Sequence, residues 1–258
     1  MATLRLSGDP EADTLLSEDP LALLIGMVLD QQVPLEWAFA APAELRRRLG
    51  RDLDAGAIAA MTPEALGAAF TAKPALHRYP GSMAARVYDL CRLLVDDYGG
   101  TADAVWAGAA SGSELLGRVR ALPGFGEQKA KIFVALLGKQ LGVTAPGWRE
   151  VSVPFGEPGS FRSVADIVDQ ASLDRVRAFK QDMKAKAKAA AAATGTPAKK
   201  TAAKRAPAKK APAKRAPAKR APARKAAATK AAGTKAAGTK VAATRAPAAK
   251  TTVRARVR

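Results

Sequence analysis

Between two stretches of helix-forming sequence the chain reads Leu122-Pro123-Gly124-Phe125-Gly126, followed by Glu127-Gln128-Lys129-Ala130-Lys131-Ile132-Phe133-Val134. Proline and two glycines interrupt any helix here, and apolar residues resume helical spacing on both sides. The stretch therefore predicts two helices, about Ser113 to Ala121 and about Glu127 to Leu141, joined by a tight glycine hairpin. Such a turn leaves backbone N–H groups free where the second helix begins, and free amides plus the helix dipole favour a phosphate. The same glycine pattern also simply ends helices, so taken alone it leaves both readings open.

Outward from the hairpin the first 182 residues read as helix after helix. Asp19-Pro20 is an N-cap followed by proline at the first helical position, opening the apolar run Leu21 to Val28. Pro42 to Leu49 and a segment from Thr62-Pro63-Glu64-Ala65 are shorter helices. Ser82 is expected to cap a longer helix with Met83, Val87, Leu90, Cys91, Leu94 and Val95 on its apolar face, stopping at Gly99-Gly100. A last helix starts near Ser172 and runs into the Lys-Ala steps of Lys184, Lys186 and Lys188. Alternating patterns are scarce; Leu4-Arg5-Leu6 and Val151-Ser152-Val153 are the two candidates for short extended pieces. The expected fold class is all-α.

Charge divides the chain in two. The net charge is +19, yet no acidic residue follows Asp182. Residues 183–258 hold 23 of the 42 basic residues, which leaves residues 1–182 with 19 basic against 23 acidic groups, a net of −4. The tail repeats Ala-Pro-Ala-Lys steps, with Pro207, Pro212, Pro217 and Pro222 five residues apart, and Lys230, Lys235, Lys240, Arg245 and Lys250 keep that period. Without aromatic residues it lacks the apolar area to fold, so a disordered tail is expected. In extended form a cation recurs about every 15 Å, a few phosphates apart on a duplex. Lys209, Lys210, Lys214, Arg215, Lys219 and Arg220 are its densest candidate contacts to DNA, or equally to RNA backbone, and it resembles the tails of linker histones. A solubilising tail is the bland alternative. The run Leu21 to Leu29 is too short to span a bilayer and no export signal precedes it, so a cytoplasmic, nucleoid-associated protein is expected.

With its flanking helices the hairpin resembles the HhH-GPD superfamily of DNA glycosylases, which includes endonuclease III. Gly81 through Gly99-Gly100 looks like the helix preceding the hairpin, and Leu23 to Val33, ending Asp30-Gln31-Gln32-Val33, looks like the early helix with its glutamine turn. The resemblance covers roughly residues 19–145 and implies a two-lobed body over residues 1–182 that rotates one nucleotide out of double-stranded DNA into a cleft. Carried over by position, Gln32 or its neighbour Gln31 fills the gap left by that base. The hairpin amides of Gly124 and Gly126 hold phosphate, Phe125 between them is a further DNA contact, and Lys129 contacts the backbone or faces solvent.

Two positions depart from the family. Gln128 stands where members with lyase activity carry a nucleophilic lysine. The activating aspartate has no counterpart in Thr144-Ala145-Pro146-Gly147-Trp148. That carboxylate stabilises the developing oxocarbenium charge and positions water. Glu150 lies just beyond and is the first substitute; Asp30 and Asp166 are others. The loop Lys73 to Pro80, with the single histidine His77, either contacts DNA or serves as a connector, and Trp37 and Trp148 either stack on a base or pack in the core. With one cysteine and one histidine the chain lacks the four cysteines of the endonuclease III cluster, so no metal and no cofactor is expected. The expectation is a monomeric base-excision glycosylase without lyase chemistry. The alternatives are a non-catalytic DNA-binding or damage-sensing protein, or an architectural nucleoid protein.

Overall fold

A computed structural model describes residues 3–193, all of them helix, turn or loop. The candidate tail contacts Lys209 to Arg220 lie outside the described residues. Ten α-helices follow in order: α1 (Pro10–Glu18), α2 (Pro20–Leu29), α3 (Leu35–Leu49), α4 (Ala55–Ala59), α5 (Pro63–Thr71), α6 (Pro80–Tyr98), α7 (Gly112–Ala121), α8 (Glu127–Gln140), α9 (Trp148–Val151) and α10 (Gln170–Ala193). Two short 3-10 turns, Ala102–Val105 and Val164–Asp166, complete the described residues. The all-α expectation holds.

The starts of these helices follow from local chemistry. Asp9, Asp19, Asp54, Thr62 and Ser111 each accept a first-turn amide with the side-chain oxygen, and α1, α2 and α5 open on proline. Helix α6 ends where Gly99 and Gly100 take positive φ, and the Gly100 N–H donates back to the Leu94 carbonyl at 2.8 Å. Helix α2 is buried along almost its whole length. All nine residues from Leu21 to Leu29 are buried, as a helix apolar on every face must be. It packs against α1, α3 and α6, while α8 packs against α7, α9 and the second 3-10 turn.

Several elements differ from the expectation. Pro42 does not begin a helix but sits inside α3; it forfeits one backbone bond, and the burial of Ala38, Phe39, Ala41 and Leu45 outweighs that loss. Ser82 lies exposed within the first turn of α6, whose N-cap is Tyr79 with no side-chain bond. Neither extended piece forms. Leu4 and Leu6 are buried, and their amides donate to Ser17 Oγ and Asp13 Oδ1 instead of to a partner strand. Val151 ends α9, with Ser152 buried in the turn after it. Helix α10 does run past residue 183 into the Lys-Ala steps, as expected. Alanine and lysine are strong helix formers, and an Asp182–Lys186 ion pair bridges that point at 2.7 Å.

Candidate nucleic-acid interface

The hairpin forms as expected between α7 and α8. Gly124 takes φ 84°, where a side chain would be strained, and the Phe125 N–H donates to the Leu122 carbonyl at 3.1 Å. Gly126 is the N-cap of α8 and offers no capping side chain. The first helical bond runs from Ala130 N–H to the Gly126 carbonyl at 2.9 Å, which leaves the first-turn amides of Glu127, Gln128 and Lys129 outside the helix ladder. Gln128 is exposed beside them. Phe125 corrects the expectation of a DNA contact. Its ring is buried edge-on against Phe133, 5.6 Å between centroids, so it anchors the hairpin to the core.

The glutamine turn follows α2 directly, and its two glutamines are not equivalent. Gln31 spends its side chain inside the protein: Nε2 donates to the Val28 carbonyl, and Oε1 accepts from Arg86 Nη1, both at 2.5 Å. Its backbone carbonyl accepts from His77 Nε2 at 2.9 Å, while the Tyr79 N–H donates to His77 Nδ1 at 3.0 Å. Both ring nitrogens are thus used, in the tautomer protonated on Nε2. Burial holds His77 below the ordinary imidazole pKa, against the pull of the backbone carbonyls of Gln31 and Leu29 and with the charges of Lys129 and Arg86 acting in the same direction as burial. Gln32, by contrast, is exposed and takes φ 56°. Of the pair, Gln32 is the side chain that faces solvent.

Lys129 ties the hairpin to this turn. Its Nζ donates to the Met27 carbonyl at 2.6 Å and the Val28 carbonyl at 3.3 Å, where the negative end of the α2 dipole lies. The ammonium also stands 5.9 Å from the Phe125 ring. This corrects the expected phosphate contact or solvated charge: the amine is held in the protein, and burial lowers its pKa to about 8, against the opposing pull of Asp30. Gly124 completes the junction. A Cβ there would lie 3.6 Å from Val28 and 3.7 Å from Arg86. Residues 27–32, 86 and 124–129 therefore share one edge. None of these three segments is adjacent in sequence.

The candidate carboxylates are distributed differently. Trp148 lies across Gly138, where a Cβ would come within 2.5 Å of its ring, and a Cβ on Gly112 would lie 2.5 Å from the Gly147 carbonyl carbon. These contacts hold α9 at the end of α8 away from the hairpin; twelve residues at roughly 1.5 Å each separate Gly126 from Gly138, about 18 Å of helix. Glu150, on α9, is exposed at that far end. Asp166 is buried and paired with Lys139 at 2.6 Å, closing a structural loop. Asp30, the C-cap of α2, is the candidate acid on the hairpin edge. Trp148 is core, with Arg149 over its ring at 4.3 Å, whereas Trp37 is 40% exposed.

No group of three or more His, Cys, Asp or Glu residues that could hold a metal occurs among the described residues, and none of the described helices is long and apolar enough to cross a membrane. Sequence reasoning missed Arg86, whose role needs Gln31 as a neighbour 55 positions away. No local signal marks it. Comparison with family models, curated proteins and solved structures finds no match for this chain. Its functional reading rests on the residues that meet at the junction of hairpin and glutamine turn.

Proposed function

We propose that this chain is a base-excision DNA-repair protein of the HhH-GPD type, a glycosylase that hydrolyses the bond to a damaged base with no lyase step. One observation carries the reading: Lys129 and Gly124 bring the hairpin amides and the exposed Gln32 to the same edge. A phosphate anchor and a gap-filling side chain must stand side by side for one nucleotide to be rotated out of a duplex. Helices α1, α3 and α6 pack on α2 and carry α4 and α5 on α6, while α7, α9 and the second 3-10 turn pack on α8; this grouping supports a two-lobed body. The basic residues 183–258 would supply sequence-independent attraction to the nucleoid. Gln128 cannot form a Schiff base, so water is the nucleophile.

The test is base release from a panel of single-lesion duplexes, with alkali or heat to reveal abasic strands and borohydride to trap any covalent adduct. Alkali-labile product without an adduct is the expected result; a trapped adduct refutes the hydrolytic route. Asp30→Asn and Glu150→Gln then separate the two acids, and Asp30, on the hairpin edge, is expected to be the one required. A second reading, a damage-binding protein without catalysis, is favoured by the position of Glu150 at the far end of α8. Lesion-selective binding with no base release from any substrate would establish it.

A further inference from the structure

A hollow of about 690 Å3 opens on the other side of His77, lined by Trp37, Thr71, Lys73, Pro74, His77 and Arg78 among others. We infer that it is a binding site for an unpaired nucleotide, with the base stacked on the Trp37 indole and the phosphate held by Lys73 and Arg78. The inference relies on the DNA-binding reading above only for the source of that nucleotide.

The chemistry of the walls selects the ligand. Lys73 and Arg78 are exposed and have no carboxylate partner among the described residues, and no acid lines the hollow. Glu36, next to Trp37 in sequence, is taken by Arg177. His77 has both ring nitrogens occupied, and Thr71 Oγ1 already donates to the Gly67 carbonyl at 2.9 Å. The groups left over are cationic donors beside one large flat ring, 40% exposed. Donors of this kind call for an anion, and an exposed indole calls for a planar apolar face; a nucleotide has both. The volume falls in the range of small-molecule sites.

The walls are also held rigid before any ligand arrives. Arg48 donates to the carbonyls of Ala69 at 2.6 Å, Ala72 at 3.0 Å and Pro74 at 2.5 Å, with its own Nε on Glu44 at 2.6 Å. At the other end of the loop His77 is bonded to Gln31. A loop fixed at both ends loses little conformational freedom on binding. A base inside a duplex has both faces stacked on its neighbours, so an occupant stacked on Trp37 is an unpaired one.

The experiment is calorimetric titration of the full chain with deoxyadenosine monophosphate, deoxyadenosine and inorganic phosphate, at salt high enough to screen the tail. The monophosphate is expected to bind more tightly than either fragment. Trp37→Ala should weaken it about fivefold or more, while Trp37→Phe retains it. Lys73→Ala with Arg78→Ala should reduce it to the level of the nucleoside; both positions are exposed, so this variant tests the site even if Trp37→Ala unfolds. Monophosphate bound no better than inorganic phosphate, or binding indifferent to these changes, overturns the inference. Duplex binding measured on the same variants keeps the readings apart, because it depends on the hairpin edge and survives failure of this site.

Discussion

Lys129 offers the sharpest physical test of the junction. In the unfolded chain its amine titrates near 10.5, and burial lowers that to about 8 in the folded protein. Between those values the unfolded state binds more protons than the folded one, so stability rises with pH across that window. Below about pH 8 both states carry the charge, and the folded state bears the full cost of holding it out of water. The gap between 10.5 and about 8 corresponds to roughly 3 kcal/mol. Lys129→Met keeps the length of the stem and removes the charge, leaving the Met27 and Val28 carbonyls without that donor at a cost of about 1–3 kcal/mol. Near neutral pH the two effects oppose each other, and the variant should match the parent to within about 2 kcal/mol. The pH dependence does not cancel. Urea unfolding of both proteins from pH 7 to above pH 10 should show the parent gaining roughly 3 kcal/mol relative to the variant as the folded amine deprotonates, since other titrating groups are common to both. Parallel curves across that window would refute a desolvated amine and, with it, the buried link between hairpin and glutamine turn.

Three further outcomes follow from particular contacts. Gly112→Ala puts a Cβ within 2.6 Å of backbone at Gly147 and Trp148, so thermal unfolding should report a loss of about 1–3 kcal/mol, with any effect on DNA binding secondary. Gly126→Val should leave the fold in place, because a Cβ there meets nothing within 4 Å, yet weaken duplex binding by crowding the first-turn amides; unchanged affinity in the folded variant removes the phosphate anchor. If about half of the 23 tail cations meet phosphates, log K should fall with log salt at a slope of about −10, and deleting residues 194–258 should flatten it strongly. An unchanged slope would assign the affinity elsewhere.

The chain announces its helices and their ends through short-range chemistry. Asp19-Pro20, Thr62-Pro63 and Gly99-Gly100 act on backbone groups within a few residues, and each does in the structure what its sequence implies. The apolar run Leu21 to Leu29 likewise carries its own burial, and the glycine hairpin its own turn. Helices α1 and α4, capped by Asp9 and Asp54, were just as accessible to that logic and were not expected. What no window could contain is pairing at long range. That Gln31 is locked by Arg86 and His77 while Gln32 stays free depends on residues 46 and 55 positions away. That Phe125 and Lys129 turn inward depends on Phe133 across the helix and on the α2 carbonyls about a hundred positions earlier. Glu150, near the hairpin in sequence, is carried to the far end of α8 because Trp148 needs the bare backbone of Gly138 to pack on. Propensity and capping are properties of neighbours in the chain, whereas burial and charge compensation belong to neighbours in space, and only the packed tertiary structure decides who those are.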